Sequence, residues 1–145
     1  MIFYFPLNLA GCVSLELLPR GIYKWKHLQT LSCNGCSKLE RFPEIKGNMR
    51  ELRVLDLCGT AIIDLPSSIT NLNGLQTLLL QECLKLHQIP NHICHLSSLK
   101  VLELPLIGIL WRGSRCHSWI HCFYQLQDDI GGSWKQSEIL GLLRP

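Results

Sequence analysis

Charge is scarce in this sequence. Asp, Glu, Lys and Arg make up 17% of the 145 residues, and no two of the fourteen Lys and Arg side chains are adjacent. Nucleic-acid binding needs clustered cations, so no nucleic-acid partner is expected. Long apolar runs are also missing: no window reaches the about 18 uninterrupted apolar residues of a spanning helix, so no membrane partner is expected. The opening MIFYFPLNLA lacks the basic region and small-residue cleavage site of a secretory signal. None of Asn8, Asn34, Asn48, Asn71, Asn73 or Asn91 begins a glycosylation sequon. These absences predict a cytoplasmic location, with the nucleus as an alternative, and mostly free thiols among the eight cysteines.

Hydrophobic residues, by contrast, make up 47% of the chain, which excludes a disordered chain and provides for a core. Their spacing is periodic. Prolines 19, 43, 66 and 90 stand at intervals of 24, 23 and 24 residues, each after a large apolar residue: Leu18, Phe42, Leu65, Ile89. Upstream of each runs one apolar rhythm. The first unit has Tyr4, Leu7, Leu9, Cys12, Leu15 and Leu18; the second Leu28, Leu31, Cys33, Cys36, Leu39 and Phe42. The third has Leu52, Leu55, Leu57, Thr60, Ile62 and Leu65; the fourth Leu75, Leu78, Leu80, Cys83, Leu86 and Ile89. A fifth begins with Leu99, Leu102 and Leu104 and then stops.

This is the LxxLxLxx(N/C)xL pattern of leucine-rich repeats. It predicts an α/β solenoid of about four full repeats, near 4–27, 28–51, 52–74 and 75–98, with a partial fifth at 99–104. In Leu-x-Leu the period is two, so both side chains enter one face of a short strand. One strand per repeat builds a parallel sheet on the concave face. Loops or short helical turns return along the convex face, where proline, which donates no hydrogen bond, is tolerated. No coil can bury its apolar side alone, and stacking creates the core.

The repeat register also explains the cysteines. Cys33-Asn34-Gly35-Cys36 has the spacing of a metal or redox pair. Yet Cys33 shares its register with Leu9, Leu57, Leu80 and Leu104, and is expected in the core. Cys36 shares a column with Cys12, Thr60 and Cys83, where a small side chain that bonds to nearby backbone turns the chain. No metal is needed. Cys58 is expected in an outward position, as an exposed thiol.

Three phrases narrow the family: Leu7-Asn-Leu-Ala-Gly-Cys-Val-Ser-Leu-Glu-Leu-Leu-Pro19, Leu55-Asp-Leu-Cys-Gly-Thr-Ala-Ile-Ile-Asp-Leu-Pro-Ser-Ser-Ile69 and Leu72-Asn-Gly-Leu-Gln-Thr-Leu78. From residue 4 to about 104 the chain resembles the repeat region of plant intracellular immune receptors of the TIR-type nucleotide-binding class. The resemblance implies recognition of a pathogen effector or a guarded host protein. It also implies contact with the receptor's own nucleotide-binding module, held inactive. A stand-alone intracellular scaffold or adaptor usually has Asn in the cysteine column, so it is the alternative reading, together with a non-functional truncated product.

The chain departs from a whole receptor in several ways. No GxxxxGK[ST] phosphate loop occurs, so no nucleotide cofactor is expected. No N-terminal polar cap is visible, and exposed repeat ends predict poor solubility. Residues 105–145 lose the register and are expected to form a disordered or loosely packed tail, as after a frameshift, retained intron or alternative exon. Its Cys116-His117 and His121-Cys122 pairs resemble zinc ligands, but adjacent residues point apart, and no metal is expected. No acid-base or nucleophilic constellation emerges, so no catalysis is expected. Ser67-Ser68 and Ser97-Ser98 read as caps of short turns.

Function therefore falls to surface recognition. The outward positions of the sheet are Asn8, Thr30, Ser32, Asn34, Val54, Asp56, Cys58, Thr77, Leu79, Gln81, Val101 and Glu103, the candidate protein-binding face. Leu79, large and apolar, is its expected anchor.

Overall fold

The computed structural model describes residues 1–87 and 91–105. Five short strands form one parallel sheet in sequence order: β1 (Phe5–Asn8), β2 (Leu28–Ser32), β3 (Val54–Asp56), β4 (Thr77–Leu79) and β5 (Val101–Glu103). Each strand covers the start of a Leu-x-Leu step, as the period-two pattern requires. Pairing advances one repeat at a time: Leu7, Leu31, Leu55, Leu78 and Leu102 are aligned across all five strands. Hydrogen bonding continues past the strand ends, with the Leu9, Cys33, Leu57 and Leu80 amides donating to Ser32, Asp56, Leu79 and Glu103.

The sheet's inner face is the core. Leu28, Leu31, Leu52, Leu55, Leu57, Leu75, Leu78, Leu80 and Leu99 are fully buried, and Cys33 is buried among them, at the leucine position the register assigns it. The return segments close the other side with Leu39, Phe42, Ile45, Ile62, Leu65, Ile69 and Leu86. Short 3-10 turns occupy Ile22–Lys24, Ser67–Asn71 and Asn91–His95. Pro66 enters the second of these with an extended backbone. The return path carries some pairing of its own: an isolated parallel bridge joins Arg41 and Asp64, and the Ile63 and His87 amides donate to Glu40 and Ile63.

Burial fades toward β1. Leu7, Leu9 and Leu15 are only partly buried, and Met1 to Phe5, Val13 and Leu17 are exposed. Tyr4, placed in the apolar rhythm by sequence, is 47% exposed, and its ring meets His27 edge-on with centroids 5.9 Å apart. Residues 88–90, with Ile89-Pro90, and the tail from 106 onward, with its Cys-His pairs, lie outside the described residues.

Candidate protein-binding face

The twelve outward positions gather on the sheet face opposite the core. In each three-residue strand the central leucine is buried while its two neighbours are not. Strand pairing then lines the outward residues up in rows. Thr30, Val54, Thr77 and Val101 are aligned, as are Asn8, Ser32, Asp56 and Leu79 with Glu103. Asn34, Cys58 and Gln81 continue the face beyond the strand ends, linked through backbone: the Gly35 amide donates to the Cys58 carbonyl and the Gly59 amide to Gln81. Asn8, Asn34, Gln81 and Val101 are exposed, and the other eight are half-buried.

Asp56 organises the centre. Its Oδ2 accepts from Ser32 Oγ at 3.3 Å and Asn34 Nδ2 at 3.2 Å, and its Oδ1 accepts the Cys58 amide at 3.0 Å. Asn8 caps its own turn in the same way, accepting the Ala10 amide at 2.9 Å. These bonds hold polar side chains in place before any partner arrives.

The Cys58 thiol differs from its expected form. It is half-buried rather than exposed, and burial, then the hydrogen bond and charge of Asp56, push its pKa up to about 12. It is therefore a protonated thiol of low reactivity. The CxxC pair is also buried. Cys33 and Cys36 are both fully buried, and burial drives Cys33 to about 12 and raises Cys36. The Cys36 thiol donates to the Leu9 carbonyl of the preceding coil at 3.1 Å, and Cys83 does so to Leu57 at 3.0 Å. Thr60, the hydroxyl member of the column, reaches the same Leu57 carbonyl at 2.8 Å. The column thus satisfies backbone acceptors where the strand ends. Among the described residues no group of three or more His, Cys, Asp or Glu side chains comes together as a metal site.

Ser67-Ser68 differs from expectation: the turn Ser67–Asn71 begins at Pro66 with no side-chain cap bond. Ser68 Oγ instead accepts the Ile45 amide at 2.9 Å, one coil back, and donates to Glu44, while Ser98 Oγ donates to the Asn73 carbonyl at 2.8 Å. Stacking offers these hydroxyls a backbone partner that no single repeat contains.

One feature escaped the sequence reading: an open cleft of about 410 Å³ along the entry side of the strands, lined by Arg50, Arg53, Asn73, Gly74, Gln76 and Ser98. The readable signal was the polar position just before β3, β4 and β5, held by Arg53, Gln76 and Lys100, with Gln29 at the matching place inside β2.

A parallel sheet built from leucine-led coils of 23–24 residues, with a polar face opposite a leucine core, defines a leucine-rich repeat protein. A known structure agrees. The leucine-rich repeat protein LIC12759 of Leptospira interrogans matches with a TM-score of 0.56 and 27% identity, over 68% of this chain and 30% of that one. The chain belongs to the RPS4B-like disease resistance proteins, whose leucine-rich repeat model matches residues 25–115. Among relatives, the disease resistance-like protein DSC1 of Arabidopsis thaliana is 47% identical over 60 residues, 41% of this chain. The TMV resistance protein N of Nicotiana glutinosa is 46% identical over 67 residues, 46% of this chain. The aligned parts are 5% and 6% of those relatives' lengths, so the chain corresponds to a small part of each.

Proposed function

We propose that the chain is a protein-binding segment of a plant immune receptor of the TIR-type nucleotide-binding class, working in the cytoplasm and without catalysis of its own. Its partner is a pathogen effector, a guarded host protein or the receptor's own nucleotide-binding module. The observation that carries this reading is the face of twelve outward side chains, in which Leu79 stands between Asp56 and Glu103 on neighbouring strands. An apolar anchor ringed by ordered polar groups is what a protein contact uses. Family membership and the resistance proteins among its relatives support the biological setting. No helix among the described residues is long and apolar enough to cross a membrane.

The test is a pull-down from leaf extract with the wild-type chain and with Leu79→Asp. The variant should lose the captured partner and keep the wild-type circular dichroism spectrum. Retained capture would remove this face from consideration.

A further inference from the structure

The two borders of the outward face differ in charge. The entry border, a row beside the twelve outward positions, consists of Gln29, Arg53, Gln76 and Lys100, joined through backbone: the Arg53 amide donates to the Gln29 carbonyl, Gln76 to Arg53 and Lys100 to Gln76, each at 2.8 Å. Thr30, Val54, Thr77 and Val101 form the middle row, and Ser32, Asp56, Leu79 and Glu103 the exit row. The entry row holds the cations Arg53 and Lys100 and no acid; the exit row holds the carboxylates Asp56 and Glu103 and no cation. Behind the entry row, Arg50 joins Arg53 in the open cleft, whose six lining residues include no carboxylate. Glu51 meets Arg53 at 3.5 Å in a pair about one-third exposed on each side, a contact that leaves the border positive overall.

The geometry points to a partner of matching layout: an amphipathic α-helix lying across the strands. Its apolar stripe covers the middle row. Its acidic flank faces Arg50, Arg53 and Lys100, and its basic flank faces Asp56 and Glu103. This inference rests on the proposal that the face binds protein, and specifies the partner's chemistry.

Dimensions agree. A three-residue strand is about 10 Å long, close to the diameter of a helix, and five strands span about 19 Å, or about 13 helical residues. The exit row adds selectivity. A lysine or arginine stem can lie along Leu79 and reach either neighbouring carboxylate with its charged head. Asp56 is already oriented by Ser32, Asn34 and the Cys58 amide, so little ordering remains on binding. A flat hydrophobic partner would leave both charged borders desolvated and unmatched, which disfavours it.

One consequence separates this layout from general stickiness. A helix turned end for end exchanges its two flanks. Reversing one border should abolish binding, and reversing both should restore it.

The probes are two stapled helical peptides of about 14 residues with identical Leu, Ala, Glu and Lys content. One carries Glu and Lys on opposite flanks of the leucine stripe; the other interleaves them. Fluorescence anisotropy with the full 145-residue chain is the readout. The split peptide should bind at least about tenfold more tightly than the interleaved one. Arg50→Glu with Lys100→Glu should lose that advantage, as should Asp56→Asn with Glu103→Lys. All four changes together should regain it, with circular dichroism verifying that each variant is folded. Equal binding of the two peptides, insensitivity to either border, no recovery in the fourfold variant, or no binding by either peptide would overturn the inference. If both peptides bind equally and both are lost on Leu79→Asp, the face still binds protein and only the charge layout falls. If leaf-extract capture is likewise insensitive to Leu79→Asp, the underlying reading falls with it.

Discussion

Glu82 stands at φ +58° where Gly59, one coil earlier, stands at φ +64°. Gly35 and Gly11 hold the same place at +76° and +75°. At each of these positions the backbone turns out of the strand just before the Cys/Thr column. A residue with a Cβ pays about 1–2 kcal/mol in this left-handed region. Glu82→Gly should therefore raise stability by about 0.5–1 kcal/mol, less than the full strain because glycine also gains freedom when unfolded. Gly59→Ala should lower it by about 1 kcal/mol, for conformational reasons, since its new Cβ meets Gly35 only at ordinary contact distance. Urea midpoints of the two variants measure both effects, and an unchanged midpoint for Glu82→Gly would contradict the account.

Ile45 is tied to the next coil on both sides of its peptide. Its amide donates to Ser68 Oγ at 2.9 Å, and its carbonyl accepts from Asn71 Nδ2 at 2.6 Å. Each substitution strands a backbone group away from a partner. Asn71→Ala should cost about 1–2 kcal/mol and Ser68→Ala about 1 kcal/mol. Thermal melts of the single and double variants should show coupling between the two, because both clamp one residue.

Alkaline pH should unfold the chain progressively. Burial raises the Cys33 thiol from 9.0 to about 12. The folded state thus keeps a proton that the unfolded state releases. The contribution is complete below pH 9 and is lost as pH rises from about 9 toward 12. Urea midpoints of wild type and Cys33→Val at pH 8 and pH 10 isolate it. Wild type should lose more stability than the variant over that interval; equal losses would show that folding does not raise the pKa of this thiol.

Gly74 is required for space rather than for backbone freedom. A Cβ there would collide with the Arg53 guanidinium and the Arg50 carbonyl. Arg53 itself donates to the carbonyls of Arg50 and Gly74, the latter at 3.1 Å. Gly74→Ala should cost about 1–3 kcal/mol. Adding Arg53→Ala should recover part of that loss but not all, since the Arg50 backbone remains. Full recovery in chemical denaturation would assign the whole clash to the guanidinium.

The repeat architecture was legible because its signal is local and recurs. Leu55 and Leu57 announce a strand by period two, and the same pair returns as Leu78 and Leu80 one coil later, so the inner sheet and its order follow from counting. The place of Cys33 in the core followed from the same register. The serine roles did not. Ser68 looks like a turn cap when one repeat is read alone, and only the stacked coil presents the Ile45 amide to it.

The sequence by itself determined the solenoid, the strand positions, the buried leucine columns and the set of outward residues, because each depends on spacing within a repeat. The tertiary structure alone decided which side chains meet. Cys83 reaches Leu57 across 26 residues, Asn71 reaches Ile45 across 26, and Lys85 reaches Glu40 across 45, at 3.1 Å. It also decided that Cys58 is half-buried and that Arg50 and Arg53 line a cleft beside the strands. Such contacts depend on the offset between stacked coils. That offset is set by packing of the whole core, and no single repeat encodes it.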